Sequence, residues 1–199
     1  MPLRDLFRPK WLHSDPDVRW AAVERLDDQR ALAEVARGDQ DHRVREAAAD
    51  RLEDQAALAE IAQSDEDSTV RFVVIGKLAD QAALATIAKD WEEDEVNRRT
   101  AVERLDDQGV LEEVCRSDED SRVREAAVKR LQNPAVLAEI ARRPPCARDC
   151  DEHEGIERLA AVDRLEDEVL LADVASTAED SLVRGAAKHK LRLLLRERS

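Results

Sequence analysis

VREAAADRL (44–52) followed by DQAALAEIAQ (54–63) is the stretch that decides the fold. In the first segment Val44, Ala47, Ala48 and Leu52 fall at helical spacing, and in the second Leu58, Ile61 and Ala62 do the same. Both segments recur. Related copies of the first are VRWAAVERL (18–26), VRFVVIGKL (70–78), NRRTAVERL (97–105), VREAAVKRL (123–131), ERLAAVDRL (157–165) and VRGAAKHKL (183–191). The closing leucines are spaced by 26, 26, 27, 26, 34 and 26 residues. In the two longer intervals the leading apolar residue is expected to move back by one, to Val96 and Ile156. Copies of the second segment follow the first six, as DQRALAEVAR (28–37), DQAALATIAK (80–89), DQGVLEEVCR (107–116), NPAVLAEIAR (133–142) and DEVLLADVAS (167–176).

Each unit therefore reads as two short helices joined by a tight acidic turn. Loops such as 64–68, Ser-Asp-Glu-Asp-Ser, supply N-cap residues for the next helix. Such units bury their apolar faces only by stacking. The sequence predicts an all-α chain, a right-handed α-solenoid of about seven units with a period of about 26 residues. It is expected to form one domain over 1–199. Residues 1–12 would be an N-terminal cap using Leu3, Leu6, Phe7 and Trp11. Residues 13–181 would hold six two-helix repeats with an insertion at 143–155, and 182–199 a C-terminal capping helix.

Composition agrees. Of 199 residues 43% are hydrophobic and 39% charged, with 5 Gly, 6 Pro and 3% aromatics, a palette for helices rather than sheets. No apolar run approaches the roughly 20 residues that span a bilayer, and the first ten residues lack the apolar stretch of a signal peptide. The expected compartment is the cytoplasm, with the three cysteines reduced. The net charge of −14 argues against nucleic acid, because phosphate backbones are repelled, and points to a basic or amphipathic protein segment as partner. Adaptation to high salt is the other reading of the same acidity.

Arg19, Arg45, Arg71, Arg98, Arg124, Arg158 and Arg184 fall beside the apolar stripe in all seven first helices. A guanidinium placed there must be paired. The expected partners are Asp17, Asp41, Asp67, Asp94, Asp120 and Asp180, giving a structural ladder. A second basic residue precedes each closing leucine (Arg25, Arg51, Lys77, Arg104, Arg130, Arg164, Lys190), where it complements the helix dipole. The solvent side of the first helix carries Trp20, Glu46, Phe72, Arg99, Glu125, Leu159 and Gly185. Trp20 and Phe72 stand out there, either as partner anchors or folded over a neighbouring helix. Glu34, Glu60, Glu113, Glu139 and Asp173, with Thr86 between them, share one position of the second helix, next to Ala33, Ala59, Ala85, Glu112, Ala138 and Ala172. This acidic stripe is a candidate partner-binding surface. As a plain solvated face it would be neutralised by i,i+3 pairs, Glu34–Arg37, Glu113–Arg116 and Glu139–Arg142.

The Val-Arg pair, the Ala-Ala step and closing Leu of the first segment, with Leu-x-x-Ile/Val-Ala in the second, resemble the short HEAT-like repeats of the phycobilisome-lyase type. The resemblance covers 13–191. It implies second helices lining a concave surface, and a family of adaptors, lyase subunits and chaperone-like proteins. Di-iron hydroxylases of that shape need several His-Glu pairs, and this chain has one, His153-Glu154. DNA glycosylases of that shape are basic and use aromatics. The chain has neither a phosphate-binding Gly-rich loop nor a nucleophile elbow.

The expected function is thus a non-catalytic scaffold or adaptor binding a partner on a concave acidic surface, with no catalytic residue and no cofactor. Two alternatives are an accessory lyase or chaperone-like subunit, and a metal-binding protein using Cys146, Cys150 and His153, with Cys115 as a fourth ligand. Three Cys and one His suit zinc, although C-x3-C is not the spacing of a tight knuckle.

Overall fold

A computed structural model describes residues 8–144 and 155–197. Among them are thirteen α-helices, a short 3₁₀ turn at Lys10–Leu12, and no strand. The first helices of the repeat are α1 (Pro16–Val23), α3 (His42–Arg51), α5 (Ser68–Ile75), α7 (Glu95–Val102), α9 (Ser121–Arg130), α11 (Ile156–Arg164) and α13 (Ser181–Glu197). The second helices are α2 (Gln29–Gly38), α4 (Gln55–Ser64), α6 (Gln81–Lys89), α8 (Gln108–Ser117), α10 (Pro134–Ala141) and α12 (Glu168–Thr177). The chain is thus an all-α array of two-helix repeats. It divides into two compact units, Met1–Ile87 and Ala88–Ser199.

Asp starts these helices. Asp28 Oδ1 accepts from the backbone N–H groups of Arg30 and Ala31, and Asp54 Oδ1 from those of Ala56 and Ala57. Asp15, Asp41, Asp67, Asp80, Asp94, Asp107, Asp120, Asp167 and Asp180 cap their own helices in the same way, and Asn133 caps α10. Each cap satisfies amides that the first helical turn leaves open, and places a negative charge at the positive end of the dipole. Helix α11 starts differently. Gly155 at its N-cap has φ +87°, and a Cβ there would collide with Nη2 of Arg158, so no other residue fits without strain.

The core is the stripe that the periodicity marks. The closing leucines Leu26, Leu52, Leu78, Leu105, Leu131 and Leu165 are buried, as are Leu32, Leu58, Leu84, Leu111, Leu137 and Leu171 of the second helices. In α7 and α11 the burial departs from expectation. Asn97 and Glu157 keep the buried slot that valine fills elsewhere, and Val96 and Ile156 are only half-buried. Polar pairing makes this tolerable: Asn97 Nδ2 donates to Glu93 Oε1 at 3.0 Å, and Glu157 Oε1 accepts from Arg124 Nη2 at 3.4 Å.

Within each unit neighbouring first helices approach one another more closely than neighbouring second helices do. The cause lies in the Ala-Ala step: Ala47 and Ala48 of α3, and Ala126 and Ala127 of α9, are buried and small. The first helices therefore form the more closely spaced row of each unit.

Candidate binding surface

Three sets of polar contacts join successive repeats, and they occupy most of the side chains that recur. The first is the arginine ladder. Arg45 Nε and Nη2 fork onto Asp65 Oδ2 and Oδ1 at 2.8 and 2.9 Å, and its Nη1 donates to the Asp39 carbonyl at 2.9 Å. Arg19 makes the same fork on Asp39 and Arg98 on Asp118. Arg45, Arg98 and Arg158 are buried, whereas Arg19, Arg71, Arg124 and Arg184 are half-buried. The hydrogen bond to Asp65 raises the Arg45 pKa above its ordinary value, and that to Asp39 does so for Arg19.

The acids of this ladder differ from those expected. Asp41, Asp67, Asp94 and Asp120 instead serve as N-caps, accepting the amides of their own helices. The ladder uses the acid two residues before the cap, at Asp39, Asp65 and Asp118. Each of these also accepts the backbone N–H of the cap residue. Asp17 pairs with Arg43 at 3.3 Å instead. Of the expected acids Asp180 does take a ladder arginine, Arg158 Nη2 at 3.2 Å. At the corresponding place in the last repeat stands Ala178, which explains the change. Arg71 and Arg184 donate Nη1 to the carbonyls of Asp65 and Ala178. Arg124 donates Nη1 to the Asp118 and Glu119 carbonyls and pairs with Glu157.

The second set comes from the basic residue before the closing leucine. Arg51 Nε donates to the Leu26 carbonyl at 3.2 Å, and Arg130 Nε to that of Leu105 at 2.7 Å. Lys77 Nζ donates to the Ala49 carbonyl at 3.1 Å, Lys190 to Val162, and Arg164 to Lys129 and Leu131. These cations close the C-terminus of the preceding first helix rather than their own. Burial lowers the pKa of Lys77 and of Lys190. The third set belongs to the glutamine of the Asp-Gln turn. Gln29 Nε2 donates to the Arg51 carbonyl and its Oε1 accepts from Glu53 N. Gln55 repeats this with Lys77 and Ala79, and Gln108 with Arg130 and Gln132.

The acidic stripe of the second helices is also engaged between repeats. Arg37 Nε meets Glu60 Oε2 at 2.7 Å, Lys89 meets Glu113 at 3.5 Å, Arg116 meets Glu139 at 3.3 Å, and Arg142 pairs with Asp173. The expected i,i+3 pairs give way to these because the base at the end of one second helix lies nearer the acid of the next. The hydrogen bond from Arg116 holds Glu139 below the usual carboxylate range. Glu34, ahead of the row, has Arg30 at 3.8 Å. The small-residue floor is partly closed: Ala33 and Ala138 are buried.

The first-helix row offers a different surface. Trp20 and Phe72 are 45% and 43% exposed, so neither folds away over a neighbour. Between α1 and α3 lies a groove of about 820 Å³, lined by Trp20, Ala21, Ala47 and Val73, with Asp17, Glu24, Glu46, Asp50 and Arg43 around them. Sequence reasoning singles out Trp20 but not the acids beside it. That Trp20, Glu46 and Phe72 share one register position does not reveal that Glu24 and Asp50 close over the same space. Trp91, 76% exposed in the loop before α7, is likewise outside what the repeat pattern marks.

Cys115 is fully buried, with Sγ 3.7 Å from the Arg124 carbonyl, and burial pushes its thiol pKa up to about 12. Cys146, Cys150 and His153 lie outside the described residues. Among the described residues no group of His, Cys, Asp and Glu could hold a metal ion, and no helix is long and apolar enough to cross a membrane.

No family model matches the chain, and no curated protein matches it. Among solved structures it is similar to a leucine-rich repeat variant with a novel repetitive protein structural motif, at 28% sequence identity and a TM-score of 0.69. The match covers 89% of this chain and 66% of that one, so the chain spans just under two thirds of its neighbour's length. The likeness supports a helical repeat protein.

Proposed function

We propose that the chain is a non-catalytic scaffold that holds a basic or amphipathic segment of another protein, in the cytoplasm. The supporting observation is how unevenly its repeats vary. The arginine, lysine and glutamine side chains that join one repeat to the next recur with little change. One solvent-facing position of the first helix instead reads Trp20, Glu46, Phe72, Arg99, Glu125, Leu159 and Gly185. A constant frame with one changing face is the pattern of a repeat protein that recognises a partner. We also read the units as short HEAT-like repeats, on the Val-Arg, Ala-Ala and closing Leu signature. The −14 net charge favours a basic partner and disfavours nucleic acid. The second-helix acids Glu60, Glu113, Glu139 and Asp173 already hold a base each, so a partner there would have to displace it. The first-helix row is the better surface.

A photo-crosslinking residue at position 46, and separately at position 60, tests the reading in extracts of the native cell. Discrete adducts with one protein from position 46 are expected, and fewer from position 60. Absence of protein adducts from both rows overturns the scaffold.

A further inference from the structure

We propose that the groove between α1 and α3 seats a basic amphipathic helix, with an apolar residue against Trp20 and lysines or arginines toward Glu24, Glu46 and Asp50. This rests on the scaffold reading and names its partner. Three observations carry it. The groove has an apolar floor in which a large aromatic is left 45% exposed, and its alanines let another helix come close. Its edge holds four carboxylates against one guanidinium, and that guanidinium, Arg43, is already held by Asp41 at 2.9 Å and Asp17 at 3.3 Å. Charge complementarity therefore selects a cationic occupant.

The third observation is an internal contrast. The same register of the second unit forms a groove of about 570 Å³ between α7 and α9. There Arg99 stands where Trp20 does and Lys129 where Asp50 does, while Glu125 and Ala126 match Glu46 and Ala47. The frame is shared, and the aromatic and the acid are particular to the first groove. Phe72 extends the same surface. It sits two repeats from Trp20, roughly 16–20 Å away at ordinary helix spacing, a distance that a helix covers in about 11–13 residues.

The contrast supplies the test. Trp20→Arg with Asp50→Lys gives the first groove the residues of the second. Both positions are exposed and the frame already carries those residues, so circular dichroism and melting should match the parent chain. The probe is a fluorescein-labelled helical peptide of leucine and lysine, about 16 residues long, with a leucine–glutamate peptide as its counterpart. Anisotropy titration should show the lysine peptide binding, weakening by about tenfold or more in the double variant, because a central aromatic anchor and a facing charge are both lost. Binding should also weaken as salt rises past about 0.15 M. Glu60→Lys, on the other row, should change affinity by less than about twofold.

Equal binding by the double variant overturns the groove, as does equal binding of the glutamate peptide. Failure of the parent chain to bind the lysine peptide up to about 100 µM does so too. In those cases capture from position 46 still stands or falls separately. Adducts there with the groove disproved leave the scaffold intact, and no adducts from either row remove the scaffold itself.

Discussion

Asp65 and Asp67 lie two residues apart, both acidic and both in one loop, yet they make different bonds. Asp65 receives the fork from Arg45 and is as deeply buried as its partner, with side-chain exposures of 4% and 6%. Asp67 caps α5. Removing one partner of a buried pair strands the other charge, so Asp65→Ala should cost about 3–5 kcal/mol. Asp67→Ala should cost about 1 kcal/mol, the ordinary loss of a cap. Urea denaturation of the two variants side by side checks this, and equal losses would remove the distinction. The sequence shows that an arginine recurs beside the apolar stripe and must be paired. It does not show which acid answers, because a helical wheel gives angles within one helix and says nothing of the loop that follows the next. Cys115 is a second residue whose surroundings fix its chemistry. Its folded pKa of about 12 lies above the ordinary 9.0. A raised folded pKa gives stability that is complete below about pH 9 and fades as pH climbs toward 12. The other second helices carry alanine at this place, at Ala36, Ala62, Ala88, Ala141 and Ala175, so Cys115→Ala keeps the fold. The stability difference between the parent and Cys115→Ala should shift against the parent between pH 8 and pH 11, read from urea midpoints. No shift would mean that the thiol is accessible to water.

At the scale of the element, the helices themselves are written plainly in the chain. Asp at the caps, leucine at the close and the 26-residue spacing locate them, because capping and amphipathicity are local. What the chain does not spell out is the relation between elements. Arg37 has an acid three residues before it and another in the next repeat, and distance across the stack chooses Glu60. The basic residue before each closing leucine suits its own helix end by the dipole rule. The preceding repeat nonetheless offers open carbonyls within reach, and the side chain goes there. Asn97 and Glu157 make the same point inside the core. A loop one residue longer before α7 suggests that the apolar register slips back, but the backbone holds its register and buries a polar side chain with a partner instead. The candidate groove is half legible for this reason. Trp20 is conspicuous on any wheel. Glu24 and Asp50 become part of the same space only when α1 and α3 are set side by side.

For the molecule as a whole, the device that starts each helix also sets the charge. Among the described residues eleven aspartates serve as caps, each favourable where it stands, and together they carry eleven negative charges of a chain whose net charge is −14. Like charges spread over a compact chain repel, and salt screens that repulsion over about 8–10 Å at ordinary ionic strength. Salt also weakens exposed pairs such as Arg37–Glu60 and Arg116–Glu139, but such pairs are worth only about 0–1 kcal/mol each. The buried forks on Asp65 and Asp118 are shielded from it. Relief of the repulsion therefore outweighs the loss of these pairs, and the melting temperature should rise between about 0.05 and 0.5 M sodium chloride. The caps provide the control. Asparagine caps a helix about as well as aspartate, and Asn133 already does so in α10. Asp28→Asn, Asp54→Asn and Asp107→Asn together keep the cap hydrogen bonds and take the chain from −14 to −11. That triple variant should depend less on salt, at the cost of the local attraction between carboxylate and helix dipole. A melting temperature that falls with added salt in the parent chain would show instead that the exposed ion pairs outweigh the repulsion among the caps.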